Sequence, residues 1–370
     1  MKFTVNKTDF EKAITPVSII AQSKTADSAL SGVFIEAKDG VVTLYCYDIE
    51  KGIKTTVDAN VYVEGKIIAD PNIVPIIHSM PDGDICIDTE DGLTIVVSCG
   101  DAMFQIMGRN ADSYPGMPEI KGHTAFKMTK KQLKSMISKT LFSVSKDDTR
   151  PILKGSLFTF KNNTLTISAI DGFRFAVRSE KCAVDNPDIN ISFIVPGKAQ
   201  QNLLRILDDK EEDVNLELGN KHIIIMVDNL YIMIRLLEGD FPQYEKYIHK
   251  HEASALVDRN LLISSLERVA LVNEKMRSSA KLKFVNDKLK ISCETESGKV
   301  NDVIPTYMEG EEKELFFNQN YLLEALRVCE NDSVLLRIAE NGRGMVIKAP
   351  DEDETEDSFY LYLIMPIRSR

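Results

Sequence analysis

The chain has 370 residues, a formal net charge of −11 and 44% hydrophobic residues. That length makes two or three domains, each able to bury its own core, and no run of 18 apolar residues is present to predict a membrane-spanning helix. The six cysteines (46, 86, 99, 182, 293 and 329) are scattered, and neither they nor the five histidines cluster as zinc requires, so buried free thiols in a reducing cytosol are expected. In chain order, residues 3–5 read as a strand and 8–20 as a helix, with Thr8 and Glu11 at capping-box spacing. The strand 32–37, the turn Asp39-Gly40 and the strand 42–47 follow, ending at Asp48. A second helix is expected over 70–79, with Pro71 in its first position and Pro75 shortening or kinking it. The alternating strand 84–88 comes next, and Ser113-Tyr114-Pro115 closes the stretch.

The same order then recurs twice. Strand 126–128, helix 129–142 with Thr129 and Gln132 at capping spacing, strand 155–160, turn Asn162-Asn163 and strand 165–170 lead to Asp171. A helix over 198–207, a strand over 214–218 and the turn Asp240-Phe241-Pro242 complete that copy. The third copy reads as strand 255–257, helix 258–269, strand 279–284, turn Asn286-Asp287, strand 289–295, helix 320–329 and strand 333–338. A period of roughly 120 residues is a domain, since solenoid units run about 20–50. The prediction is an α+β chain of three like domains, 1–120, 121–250 and 251–370, forming a curved or ring-like body.

Catalytic chemistry is hard to place. No phosphate-cradling Gly-x-x-x-x-Gly-Lys-Ser/Thr, no Gly-x-Gly-x-x-Gly and no His-Glu-x-x-His is present. His251-Glu252 fails that last pattern, and His249 and His251 are expected in a solvated connection. Asp82, Asp84 and Asp88 alternate with Ile85 and Ile87, as on a half-exposed strand, and lack calcium-loop spacing. Asp48 and Asp171 are a candidate acid–base pair, but each ends a strand where Asp bonds its own turn, and the third copy has Thr295. No catalytic residue, metal or cofactor is assigned.

Charge is uneven. Lys130, Lys131 and Lys134 share an arc of about 100° on one helix, beside a core-facing arc of Leu133, Met136 and Ile137. Lys146 and Arg150 follow, then Lys198 and Arg205 on the next helix. Either these are solvated helix faces, or basic helices on an acidic body hold nucleic acid on one surface.

The whole chain resembles the beta subunit of bacterial DNA polymerase III, the sliding-clamp family. The resemblance rests on Met1-Lys2-Phe3-Thr4-Val5, Arg150-Pro151-Ile152-Leu153-Lys154-Gly155, and Ile170-Asp171-Gly172-Phe173-Arg174-Phe175-Ala176-Val177. Gly239-Asp240-Phe241-Pro242-Gln243-Tyr244, Asn273-Glu274-Lys275-Met276-Arg277 and Leu363-Ile364-Met365-Pro366-Ile367-Arg368 carry it further. It implies three tandem clamp domains, helices inside and antiparallel sheets outside, closing as a head-to-tail dimeric ring around duplex DNA. It implies a processivity factor with no catalytic activity of its own, in the cytoplasm, serving the DNA polymerase III alpha subunit, the clamp loader and other proteins with clamp-binding motifs. The implied partner-peptide groove uses Leu153, Ile170, Gly172, Phe173, Arg174, Phe175, Pro242, Lys246, Tyr247, Leu363, Met365, Pro366, Ile367 and Arg368. The implied DNA contacts are Lys24, Lys146, Arg150, Lys198 and Arg205. The implied ring joint sets Phe104 and Ile106 against Ala270 and Leu271 of the other chain.

Overall fold

A computed structural model describes residues 1–21, 30–90, 93–118, 120, 124–184, 190–248, 250–272, 279–296, 298–351 and 358–367. Lys24 and Arg368 lie outside these residues, as does the segment 273–277 quoted above. The chain packs as two bodies, Met1–Lys131 with Gln201–Leu236, and Gln132–Gln200 with Leu237–Arg370.

Each repeat is built on one hairpin. The three are Val33–Lys38 with Val41–Tyr47, Gly155–Lys161 with Thr164–Ile170, and Ser279–Val285 with Lys288–Thr295, all antiparallel. Their turns hold two successive residues at positive φ: Asp39 and Gly40, Asn162 and Asn163, Asn286 and Asp287. That geometry matches the twist of a tight hairpin and favours Asn, Asp and Gly, which is why the turns stand out in the sequence. A third strand extends each hairpin: Lys51–Asp58, Arg174–Lys181 and Gly298–Gly310.

Among the described residues, six α-helices accompany these strands: α1 Lys7–Ala21, α2 Ile73–Ser79, α3 Lys130–Ser138, α4 Gly197–Ile206, α5 Arg259–Ala270 and α6 Gln319–Val328. In α1 the spacing of Phe10, Ala13, Ile14 and Val17 puts one apolar stripe into the core. Leu133, Met136 and Ile137 of α3 are fully buried, as expected. Leu262, Leu266 and Val269 of α5 join Leu322 and Leu326 of α6 in one core cluster. Three details differ from the sequence reading. The cap of α1 is Asn6, whose Oδ1 accepts the Thr8 N–H at 3.0 Å, so Thr8 lies inside the helix. Helix α2 starts at Ile73 and not at Pro71; it is short, as expected, and Pro75 is its third residue, where the missing N–H belongs to the unpaired first turn and forces no kink. His251 opens the strand His251–Asp258 and is no part of a loose connection.

All six cysteines are free, and all but the half-buried Cys86 are buried. Burial pushes the Cys46 and Cys329 thiols up to about 12 and that of Cys182 to about 11. Since the thiolate is the reactive form, a thiol reagent at mildly alkaline pH is expected to label Cys86 alone until the protein is unfolded. Rapid labelling of a second cysteine in the native protein would contradict this packing.

Candidate functional site

Within the second body, Leu153, Ile170, Phe175, Val346 and Leu363 form a small apolar cluster apart from the main core. Strand alternation creates it. Phe175 stands directly opposite Leu363, Leu363 opposite Val346, and Ile170 opposite Phe175. The intervening residues Ala176, Tyr362 and Ile364 point to the other side and enter the main core. Leu153 comes from the one-turn helix Pro151–Lys154, and Ile152, Phe241, Tyr244 and Leu361 pack at the edges. Burial pushes the Tyr244 phenol up to about 12.

Around this buried floor stands an exposed apolar rim. Phe173 is 60% exposed, Tyr247 42%, Met365 37% and Ile367 38%, a density of solvent-facing apolar groups that marks interaction sites. The Tyr247 ring centroid is 5.0 Å from that of Phe175. Pro242 is half-buried, and Lys246 is exposed in the turn Tyr244–Tyr247. Beyond the strand Phe359–Ile364, the Met365 N–H donates to Phe173 O at 2.9 Å and the Ile367 N–H to Phe316 O at 2.8 Å. The tail is thus pinned by its backbone, with Met365 and Ile367 facing solvent.

The turn bearing Phe173 is held by Asp171, whose Oδ1 accepts the N–H groups of Phe173 and Arg174 at 2.9 and 3.1 Å. Gly172 has φ +95°, a conformation open to glycine at no steric cost. Asp48 makes the same turn in the first repeat, accepting from Glu50 and Lys51 at 3.2 and 2.9 Å. Both carboxylates are committed to turns and to a cation three residues on, Lys51 or Arg174, which accounts for them without acid–base work.

The geometry sets Arg174 apart from the other residues expected to line a groove. Alternation turns it to the opposite face from Phe175, where only 8% of the side chain is exposed. Its Nε donates to Asp171 at 2.9 Å, its other nitrogens reach Glu324 and the Phe142 carbonyl, and its guanidinium lies 4.2 Å from the Tyr321 ring centroid. It braces the Phe173 turn from behind. Arg174→Ala is expected to lower stability by about 3 kcal/mol, because the largely buried Asp171 loses its cation. Arg174→Lys should recover little of this, since an ammonium cannot reproduce the planar fork. A urea midpoint unchanged by either substitution would show that the brace carries no weight.

Val346, Phe241, Tyr244 and Tyr321 were not among the groove residues expected from the sequence. Val346 and Tyr321 lie far along the chain and join the site only through strand pairing and helix packing. The Phe173 and Tyr321 rings are 6.3 Å apart.

The first body contains a counterpart that is filled. Phe34, Tyr45, Ile68, Ala111 and Tyr114 cluster there, with Tyr47 and Met117 packed against them. Gly52 stands where Phe175 stands in the second repeat, and the Met117 side chain occupies the space, 2.8 Å from where a Gly52 Cβ would lie.

Of the candidate basic residues, Lys146, Arg150, Lys198 and Arg205 are all exposed. Lys198 and Arg205 are seven residues apart on α4, two turns along one face. The expected cationic face of α3 is reduced, because Lys130 is buried against Glu212 and Asp228, and Lys131 pairs with Glu211 at 2.7 Å. Among the candidate joint residues, Phe104 is 41% exposed and Ile106 half-buried on the strand Ala102–Arg109, beside Met103 and Met107 at 64% and 66%. Ala270 ends α5, and Leu271 after it is 86% exposed.

Three family models match the chain in tandem: DNA polymerase III beta subunit, N-terminal domain over residues 1–118, central domain over 127–243 and C-terminal domain over 249–368. The chain is 28% identical to the Beta sliding clamp of Halalkalibacterium halodurans over 386 residues, covering 100% of both. It is also 28% identical to the Beta sliding clamp of Staphylococcus epidermidis over 382 residues, again covering 100% of both. The solved DNA polymerase sliding clamp from Bacillus subtilis is similar across 100% of each chain, with a TM-score of 0.93 and 28% identity. The structure of a putative DNA polymerase III beta subunit from Eubacterium rectale covers 100% of each chain, with a TM-score of 0.92 and 25% identity.

Proposed function

We propose that this chain, which belongs to the DNA polymerase III beta subunit family and is a DNA sliding clamp, closes head to tail with a second copy around duplex DNA and tethers the replicative polymerase through the apolar groove. The observation that carries the proposal is an open place in the strand order. The last strand of the central repeat, Leu230–Arg235, pairs with Lys51–Asp58 of the first. The last strand of the third, Phe359–Ile364, pairs with Arg174–Lys181 of the central one. Among the described residues, the matching strand of the third repeat, Gly298–Gly310, has no such partner along 298–305, which pair only with Lys288–Thr295. The last strand of the first repeat, Ala102–Arg109, likewise pairs with Thr94–Cys99 and meets Gly65–Ala69 only at Gly108 and Arg109. A chain with one vacant edge of each kind is completed by a second copy, and two copies fill all four edges in a closed ring. Phe104 and Ile106 then meet Ala270 and Leu271 at each joint.

Enclosure removes the need for strong DNA contacts. Lys24, Lys146, Arg150, Lys198 and Arg205 supply sequence-blind phosphate contacts that permit sliding. The groove of Leu153, Ile170, Gly172, Phe173, Phe175, Pro242, Lys246, Tyr247, Leu363, Met365, Pro366, Ile367 and Arg368 takes an extended segment of the polymerase alpha subunit, the clamp loader or other clients, with Arg174 as its brace. A tethered polymerase rebinds its primer at an effective concentration on the order of millimolar. The protein acts in the cytoplasm as a processivity factor, and none of these contacts requires a covalent step.

The deciding experiment is retention after loading. The protein is expected to stay on nicked circular DNA and to run off the same DNA once it is linearised. Lys198→Glu with Arg205→Glu should lower loading and reduce the salt slope by about one unit per lost phosphate contact. Equal retention on both DNA forms would refute enclosure.

A further inference from the structure

On the third repeat, strand alternation brings four lysines to one solvent-facing sheet surface. Lys281 and Lys283 lie on Ser279–Val285, and Lys288 and Lys290 on Lys288–Thr295, while Ala280, Leu282, Leu289 and Ile291 between them are buried. Lys283 stands directly opposite Lys290. Like charges in direct cross-strand register are destabilising, and on a chain of net charge −11 such an arrangement needs a reason. Of the residues paired opposite these four, Glu314 alone is acidic, and it is shared between Lys281 at 2.7 Å and Lys283 at 3.8 Å. The surface therefore retains excess positive charge.

A chain of contacts connects this surface to the groove. Lys281 Nζ lies 5.7 Å from the Phe316 ring centroid. Phe316 accepts the Ile367 N–H through its carbonyl, and two residues back Met365 is bonded to Phe173 on the groove rim. We infer that the lysine face docks an acidic stretch of chain flanking the groove-binding segment of a client protein. The inference rests on the groove proposed above. Charge complementarity and continuity with the groove select this occupant. From the Phe316 strand to the Lys290 strand is two strand spacings, about 10 Å, which roughly three extended residues cross. Acidic residues within about five positions of the apolar anchors therefore reach the lysines. Rim charges of this kind act on association rate and salt dependence more than on the anchored core of an interface.

The test uses full-length protein and fluorescence anisotropy with the clamp-binding peptide of the same organism's polymerase. The peptide carries six Asp/Glu residues at one end or the other, or a Ser/Gly tail of equal length. At about 50 mM salt, where exposed charges are weakly screened, the acidic peptide is expected to bind about tenfold tighter in the better of the two orientations. That gain should vanish at high salt and in a Lys288→Glu, Lys290→Glu variant, while the Ser/Gly peptide binds wild type and variant alike. The variant is expected to keep its fold, because Lys290→Glu sets a carboxylate directly opposite Lys283. If the Ser/Gly peptide does not bind wild type, the groove proposal fails. If it binds and neither acidic tail improves affinity, the inference fails while the groove stands. Binding of a single-stranded oligonucleotide to wild type but not to the variant, with no gain from the acidic tails, would overturn it in favour of a nucleic-acid surface.

Discussion

A Leu271→Asp variant is expected to sediment as a folded monomer of 41.5 kDa, and the wild type at twice that mass. Leu271 caps α5 and is 86% exposed in the single chain, so an aspartate there disturbs no packing within it. In the proposed joint it faces Phe104 and Ile106, and the described residues beside those on their strand are Met103, Gln105 and Met107, none of them cationic. Burying an unpaired carboxylate costs several kcal/mol, comparable to what a modest joint gains. Leu271→Met should stay dimeric. A stable Leu271→Asp dimer would move the joint elsewhere.

Removing the chain from Met365 onward is expected to weaken binding of the polymerase's clamp-binding peptide at least about a hundredfold while leaving the protein dimeric. Anchoring side chains at protein interfaces commonly carry about 2 kcal/mol or more each. The deletion takes two exposed apolar residues from the rim, and flexible methionine suits a site that must accept several different sequences. The fold should survive, because Leu363 and Ile364 remain as the buried end of the last strand. Unchanged peptide affinity in an intact dimer would show that clients dock elsewhere.

Most of the repeat was legible because its signals are local. A turn with two residues at positive φ demands Asn, Asp or Gly, and the strands beside it alternate visibly. Asp48 and Asp171 were readable as turn residues for the same reason. The start of α1 was misread because Asn6 and Thr8 are both competent caps, and sequence spacing does not say which side chain has the first turn above it. Burial at the groove was less accessible. Family likeness placed Arg174 among the peptide contacts, but strand parity sends it to the far face, and only the Arg174↔Ile364 pairing reveals which face that is. Val346 and Tyr321 come from other strands and helices, so no local pattern reports them. The α3 lysines illustrate the same limit for charge, since the acids that occupy Lys130 and Lys131 lie about 80 to 100 residues away in the chain.

Met117 settles a question of supply and demand. Its side chain packs over Gly52, in the space that the Phe175 side chain itself fills in the second repeat. The repeat could in principle furnish a berth at every such junction, yet the first one comes already filled from within the chain. In the proposed ring the berth at Gly52 would be closed and the one around Phe175 open. Polymerase, loader and other clients would then compete for it, and abundance and residence time would decide which of them holds it.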